Sequence, residues 1–424
     1  MKKILDKIFI RSNNLDFISK KIQNLTNNTP SKKIFEAINN FSAYSEIRYV
    51  GGCIRKIINE EAVDDIDMAT NLEPAEIIEA LKINNINFYE TGISHGTITA
   101  QINEYKFEIT SLRKDISTDG RHAKVRFSKN WKEDASRRDF TINSIYSDKD
   151  GNLFDPYNGL KDLEEGYINF IGDAEKRIKE DYLRILRYFR FFLNYSKHPH
   201  NSEVIKKLKM NISGVSNLSK ERLLDELKKI MKLETIEKLL GDKLSLEIML
   251  TIFPELKNIN IFSKLSTNKK EILKREDFIF LLSLMLVDGT DNVDYFFYKF
   301  SLSKKDQKRI KIISNFFKEK IDKKTFDEIN MNKLFYFNGR QAVTDILNFK
   351  IIISKKVDMR LIEMSEIYSN KKITSMPITA KMLMTKYNIP EGKQLGEKLK
   401  IIEQEWVNNN FKISDQQIDR IIHS

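Results

Sequence analysis

The rhythm of apolar and polar positions changes once along this chain, near Gly172. Upstream, short alternating runs are interleaved with helical ones. Residues 1–45 read as helical, with Pro30-Ser31 marking a break before a helix from Lys32 to Asn40. Ile47 to Val50 predicts a strand, 54–59 a helix, Asp65 to Ala69 a second strand, and Pro74 to Ile83 a helix with proline in its first turn. Thr97 to Ile102 alternates as a strand should, Asn103-Glu104 suits a hairpin turn, and Tyr105 to Ser111 returns as the partner. Downstream the strong patterns are all helical, among them 173–195, 201–210, 219–233 and 244–252, and no fixed repeat period joins them. The expected architecture is an α+β head followed by an all-α remainder.

The stretch from Tyr49 to Thr70, YVGGCIRKIINEEAVDDIDMAT, sits where the head pattern begins. Adjacent glycines, Gly51 and Gly52, permit a tight turn and let backbone N–H groups approach an anion. Arg55 follows in the first turn of the helix, where its charge adds to the positive end of the dipole. Asp65-Ile66-Asp67 begins 13 residues after Gly52. On a strand its two carboxylates share a face, and they repel unless a cation neutralises them, which suits Mg²⁺ carrying a triphosphate. A glycine pair alone is an ordinary turn, and an Asp-x-Asp alone an ordinary solvated loop. Together, at this spacing and with Arg55, they point to nucleotidyl transfer. Glu108 lies between Phe107 and Ile109, so if those two face a core it points to the face of Asp65 and Asp67. There it would accept a proton from an attacking hydroxyl or bind a second metal.

Two polar stretches and one helix add to this. Arg113 to His122, RKDISTDGRH, has the composition of a mobile loop between strands. The run 180–192, EDYLRILRYFRFF, predicts a helix on which Asp181, Arg184, Arg187 and Arg190 recur every three residues along one face. The ordinary reading is an exposed charged stripe worth about a few tenths of a kcal/mol. The chemical reading starts from Asp offering only acceptors and Arg only donors. Cytosine and adenine both present an amino donor beside a ring-nitrogen acceptor, and guanine and uracil reverse that polarity. Asp181 and Arg184 would therefore accept C and A, with each mismatch against G or U costing about 1–3 kcal/mol. Arg187 and Arg190, farther along, could hold the triphosphate.

Charge changes the picture less than the motifs do. Among the 424 residues, 72 Lys and Arg stand against 60 Asp and Glu, a net charge of +12 that favours polyanions such as nucleic acid. Abundant Lys, Ile and Asn throughout supply a compositional explanation of the same excess. No window reaches the ~18 apolar residues of a transmembrane helix. Asp6 interrupts the N-terminal apolar run, so an amphipathic helix is expected there rather than a signal peptide. Cys53 is the single cysteine, which excludes an intramolecular disulfide and leads to the expectation of a cytoplasmic setting.

Taken in order, these motifs resemble those of the bacterial class II tRNA nucleotidyltransferases, the CCA-adding enzymes, which share a superfamily with bacterial poly(A) polymerases. The resemblance spans about residues 46 to 235. GGCIR with DID is similar to the family's first motif, implying Asp65 and Asp67 as metal ligands. RRDFTIN (137–143) is similar to the second, implying that Arg138 contacts the nucleotide and Asp139 its ribose, with Asn143 in the same motif. DPYNG (155–159) is similar to a hinge-like element, EDYLR to the base-selecting motif, and SKERLLDEL (219–227) to a neck helix that supports it. One departure is Lys56, where the family commonly has an acidic residue.

The resemblance implies an N-terminal helical segment (1–45), an α+β nucleotidyltransferase head of small mixed sheet and helices (46–165), neck helices with the base-reading motif (166–235), a helical body (236–330) and a helical tail binding tRNA (331–424). It implies Mg²⁺ as cofactor, CTP, ATP and tRNA as substrates, no membrane partner, and a monomer or a homodimer. TGISHGT (91–97), the FEITSLR strand and the polar loop 113–122 favour complete CCA addition over a poly(A), CC-only or A-only product. A catalytically silent RNA-binding protein on the same scaffold is the alternative of another class. Lys269 to Arg275, Lys304 to Lys311 and Lys318 to Lys324 are the expected tRNA backbone contacts, and Phe296-Phe297 and Phe316-Phe317 are expected in cores.

Overall fold

A computed structural model describes residues 2–119, 122–318, 324–372 and 375–423. Two helices open the chain, α1 (Lys2–Asn28) and α2 (Ser31–Asn39), broken at Pro30 as the pattern predicts. Then come β1 (Ile47–Val50), α3 (Gly52–Ile58), β2 (Ile66–Thr70), α4 (Pro74–Ile83), β3 (Asn87–Gly92), β4 (Thr97–Ile102) and β5 (Tyr105–Ser111). Glu73 and Glu76 close a reciprocal capping box around Pro74, which is why α4 starts there. Asn103 takes a positive φ of 53° in the two-residue turn between β4 and β5.

Among the described residues, seven strands form one mixed sheet in the order β3-β4-β5-β2-β1, completed by β8 (Tyr146–Ser147) and β9 (Leu153–Phe154). Of its strand pairs only β2 and β5 run parallel, so they need a crossover, which α4, β3 and β4 supply. The register sets Ile66 beside Phe107, Asp67 beside Glu108 and Met68 beside Ile109. Ile66, Met68, Phe107 and Ile109 enter the head core, and the period of two turns Asp67 and Glu108 to the other face.

The N-terminal helix packs on this head. Ile18 and Ile22 of α1 join the core with Ile34 and Ile38 of α2. Burial of each such side chain contributes about 1.5–3 kcal/mol. Tyr49 is fully buried beneath them, and its hydroxyl is bonded to Thr26 Oγ1 at 3.0 Å and Ser31 Oγ at 2.6 Å. Leaving that hydroxyl unpaired would cost about 1–3 kcal/mol.

The expected loop at 113–122 is corrected. β6 (Arg113–Asp119) and β7 (His122–Phe127) pair as a separate antiparallel ribbon, Arg113 opposite Phe127 and Asp119 opposite His122, with residues 120 and 121 outside the described set. The polar composition hid it because a two-stranded ribbon satisfies its backbone without needing an apolar face.

α5 (Trp131–Ser136), α6 (Gly159–Glu165), α7 (Ala174–Glu180), α8 (Leu183–Tyr195), α9 (Ser202–Met210) and α10 (Lys220–Ile230) carry the chain out of the sheet. The continuous helix expected over 173–195 is corrected as well. It breaks at Asp181, whose backbone is extended (φ −157°, ψ 104°) and whose Oδ1 accepts the Leu183 N–H at 3.1 Å. Aspartate competes with the helix in this way through its own side chain.

The chain separates into two units, Met1–Glu226 and Leu227–Ser424. The second carries no strand among its described residues. Its helices are α11 (Leu233–Gly241), α12 (Lys243–Ile252), α13 (Thr267–Leu273), α14 (Phe278–Leu286) and α15 (Asn292–Lys299). After these come α16 (Lys304–Lys318), α17 (Glu328–Ile353), α18 (Met359–Asn370), α19 (Ala380–Tyr387), α20 (Lys393–Asn408) and α21 (Asp415–His423). Phe335, Val343, Ile346 and Leu347 of α17 make a core with Leu361 and Tyr368 of α18, and Phe316 and Phe317 pack against it. Phe296 is fully buried, as expected, whereas Phe297 is only half-buried. Lys269 is not an exposed RNA contact: it is 8% exposed and donates to the Ile352 and Ser354 carbonyls at 2.7 and 2.6 Å, capping the end of α17. Arg309 is likewise committed, to Asp345 and Asp277. Most of the stretch 318–324 lies outside the described residues. No helix among the described residues is long and apolar enough to cross a membrane.

Gly159 gives a direct test of the packing. Asp155 caps α6 by accepting the Gly159 and Leu160 N–H groups at 2.8 and 2.9 Å, and an added Cβ at Gly159 would lie 2.1 Å from the Thr141 carbonyl oxygen. Gly159→Ala should cost about 2–4 kcal/mol in urea unfolding. Gly241→Ala, with nothing within 4 Å of the added atom, should unfold as the wild type does.

Candidate active site

Gly51 links β1 to α3 at φ 68°, ψ −118°, a conformation that requires glycine. Its N–H donates to the Ile145 carbonyl at 3.3 Å, so this amide is used inside the head and is not available to an anion, contrary to the expectation for both glycines. Gly52 opens α3 against the carboxylates: an added Cβ there would stand 3.8 Å from Asp67 Oδ2 and 3.8 Å from Arg55 Nη2. Asp65 precedes β2 and is exposed, Asp67 is half-buried, and Glu108 is exposed beside it. Burial, then the charges of Glu108 and Asp65, push the Asp67 carboxyl up to about 6, against a partial offset from Arg138 and Arg55.

That excess negative charge is what a cation would relieve. Among the described residues no group of three His, Cys, Asp or Glu side chains is placed to hold a metal by itself. Asp65 and Asp67 supply carboxylate oxygens, donors whose chemistry suits a hard divalent cation. Lys56, at the position where the resemblance breaks, pairs with Asp64 at 2.8 Å rather than with either aspartate of the DID motif.

The arginines are held in a connected set. Arg55 is 7% exposed, donates through Nη1 to Asn143 Oδ1, and lies 4.7 Å over the Phe191 ring. Asn143 Nδ2 donates to Asp139 Oδ1 at 2.8 Å, and Asp139 Oδ2 accepts Arg187 Nε at 2.6 Å. Burial alone would raise the Asp139 carboxyl, but the Arg187 charge and the Asn143 bond hold it well below the usual carboxylate range. One chain of contacts thus runs from the glycine turn to α8. Arg138 bonds Asp134 and Tyr146, and its Nη1 is 3.5 Å from where a Cβ at Gly51 would sit.

On α8 each arginine has its own carboxylate. Arg184 Nη1 donates to Glu180 Oε2 and to the Arg177 carbonyl, both at 2.8 Å, Arg187 meets Asp139, and Arg190 meets buried Glu226. Asp181 lies before the helix, not on its face, and accepts Arg222 Nη2 at 2.7 Å. Arg187 and Arg190 therefore do not stand as free cations for a triphosphate. Arg222 and Glu226, four residues apart on α10, buttress both ends of the α8 motif, the support expected of SKERLLDEL. Asp134 and Tyr146 escaped notice in the sequence. Asp134 precedes Arg137 and Arg138 by three and four residues, a spacing that marks ion pairs on a helix.

Turn, carboxylates and arginines on a mixed sheet define a nucleotidyltransferase head, and comparison with known proteins agrees. The Poly A polymerase head domain family matches residues 47–169, and tRNA nucleotidyltransferase domain 2 matches residues 270–421. The mitochondrial CCA tRNA nucleotidyltransferase 1 of Mus musculus is 32% identical over 378 residues, 88% of this chain and 85% of that protein. The CCA-adding enzyme of Streptococcus uberis is 28% identical over 404 residues, 91% and 93% of the two chains. In fold, the Bacillus stearothermophilus CCA-adding enzyme in complex with CTP aligns with a TM-score of 0.68 at 18% identity, covering 93% of this chain and 97% of that one. The chain belongs to the family of CCA-adding tRNA nucleotidyltransferases.

The raised Asp67 carboxyl has a sign that can be checked. Between its ordinary value near 4 and about 6 the folded state binds the extra proton, so this group lowers metal-free stability as pH rises through that window. Asp67→Asn should raise the stability of the metal-free protein at pH 7.5 by about 1–3 kcal/mol. Added Mg²⁺ should raise the melting temperature of the wild type at pH 7.5, less at pH 5, and not that of the variant. Differential scanning calorimetry with and without chelator reads all three.

Proposed function

We propose that this protein completes the 3′ end of tRNA, adding C, C and A from CTP and ATP without a nucleic-acid template. The observation that carries the reading is the pairing of Asp67 with Glu108 on neighbouring parallel strands, directly against the Gly51-Gly52 turn. Negative charge concentrated there supports a centre at which a 3′-hydroxyl, an α-phosphate and a cation would meet. Asp65 and Asp67 would hold Mg²⁺, which when bound offsets phosphate charge as the pentavalent arrangement forms. Glu108, exposed and beside Asp67, accepts the proton of the attacking hydroxyl. Arg55 and Arg138 face the triphosphate side of the turn, and pyrophosphate leaves opposite the attacking oxygen.

Base choice falls to Asp181 and Arg184. The Arg184 N–H donates to the Asp181 carbonyl at 3.0 Å, so one turn of chain keeps the two residues together. Both are partnered, yet capacity remains: a carboxylate has about four lone-pair sites and a guanidinium five N–H donors. Asp181 retains acceptor sites beyond Arg222 and Leu183 N–H, and Arg184 retains donors beyond Glu180. Mitochondrial proteins stand among the relatives beside bacterial ones.

Incubation with tRNA lacking its 3′ terminus, with labelled CTP, ATP or both, tests the activity. Two C residues and then one A are expected, whereas a long A tail would reassign the protein as a poly(A) polymerase and no incorporation would leave an RNA-binding role. Asp65→Ala and Asp67→Ala should each lower incorporation by about 10²–10³ or more with unchanged circular dichroism. Asp181→Asn with Arg184→Gln should admit UTP and GTP in the same extension assay, since amides present either polarity. Retained C and A selectivity would move base reading elsewhere.

A further inference from the structure

We propose that Asp134 is a positioning residue that aims the Arg138 guanidinium at the Gly51 turn and ties it to the first residue of the β6–β7 ribbon. The inference rests on the reading of Arg138 as a contact to the nucleotide. Asp134 sits in the first turn of α5 and is 1% exposed. Its Oδ1 accepts Arg137 Nε at 2.8 Å, Arg137 Nη2 at 2.7 Å and the Arg113 backbone N–H at 3.4 Å. Its Oδ2 accepts the Tyr146 hydroxyl at 2.7 Å, Arg138 Nη2 at 3.1 Å and Arg138 Nε at 3.3 Å. One buried anion thus organises two guanidinium groups, a phenol and a strand terminus.

The consequence for Arg138 is directional. Its Nε also bonds the Tyr146 oxygen at 3.0 Å, so two of its three nitrogens are held from one side. The third, Nη1, faces the space above Gly51, where an added Cβ would lie 3.5 Å away. A planar guanidinium held along one edge presents its other edge in a fixed direction, and the rotamer entropy of a long side chain is lost before the ligand arrives rather than on binding. Asp67 is the competing carboxylate: Arg138 is near enough to stabilise its charge, and without Asp134 the guanidinium is drawn towards it. Asp134 keeps the cation for the incoming phosphates.

The ribbon enters through Arg113. Its N–H reaches the same Oδ1, and its side chain donates to the His95 carbonyl beside the glycine-flanked turn before β4. A shift at the root of the ribbon therefore reaches the arginine pair through a single carboxylate.

A purely structural ion cluster would lower stability without touching nucleotide affinity. The test is steady-state kinetics of Asp134→Asn, Arg138→Ala and the double variant on tRNA lacking its 3′ end. Asp134→Asn should raise KM for CTP and for ATP by about tenfold each, because the phosphates are common to both, and leave KM for tRNA unchanged. In the Arg138→Ala background the same substitution should add less than about twofold, since the group it positions is gone. A full tenfold effect persisting there, or an unchanged nucleotide KM in folded Asp134→Asn, overturns the positioning role while Arg138 stays a nucleotide contact. An unchanged nucleotide KM in Arg138→Ala overturns the contact itself, and the proposal with it. Should Asp134→Asn fail to fold, Tyr146→Phe removes one bond to the Arg138 edge and one to Asp134. It should raise both nucleotide KM values about threefold, and unchanged values overturn the proposal.

Discussion

Two carboxylates held side by side on parallel strands are the constraint around which the first unit is arranged. Asp67 and Glu108 are fixed neighbours because β2 and β5 pair in that register and because Ile66, Met68, Phe107 and Ile109 are committed to the core. A slip of one residue would bury the acids and expose the apolar side chains, so the hydrophobic core enforces an electrostatically unfavourable pair. The cost appears at Asp67, whose carboxyl is pushed up to about 6 by burial and then by Glu108, and a charge environment perturbed in this way is characteristic of functional sites.

The surrounding charges are organised so that this field is not cancelled by the protein itself. The arginines near the turn and α8 are mostly committed to carboxylates other than Asp67: Arg137 and Arg138 to Asp134, Arg177 and Arg184 to Glu180, Arg187 to Asp139, Arg190 to Glu226 and Arg222 to Asp181. Arg55 goes instead to the amide of Asn143. Buried ion pairs of this kind add little net stability, because desolvation offsets attraction, but breaking one leaves an uncompensated charge. Their value lies in geometry. The path Arg55–Asn143–Asp139–Arg187 joins the glycine turn to α8 through a continuous series of side-chain hydrogen bonds.

The second unit follows a different logic. Its positive residues are not a uniform RNA-binding face, since Lys269 caps a helix and Arg309 sits among Asp277, Asp345 and Glu276. Charge counted along a sequence does not distinguish a cation that reaches solvent from one that completes a core.

Sequence alone determined the α+β head, the all-α remainder, the glycine turn and the alternation that turns Glu108 to the face of Asp67, because each depends on local conformational preference or on a period of two. The resemblance of SKERLLDEL to a neck motif indicated a supporting helix, but that Arg222 and Glu226 supply the support, to Asp181 and Arg190, came from the tertiary contacts. Tertiary structure decided the rest. The break at Asp181, the ribbon formed by polar residues 113–127, the capture of Lys269 and the role of Asp134 all depend on which distant group supplies a partner. Asp181 would continue a helix by periodicity, but its side chain bonds Leu183 N–H and Arg222 instead. Hydrophobic pattern specifies which face a residue takes, and a spacing of three or four marks a pair within one helix; only the assembled fold specifies which charge on another element it meets, because that pairing depends on distance in space and carries no periodic trace in the chain.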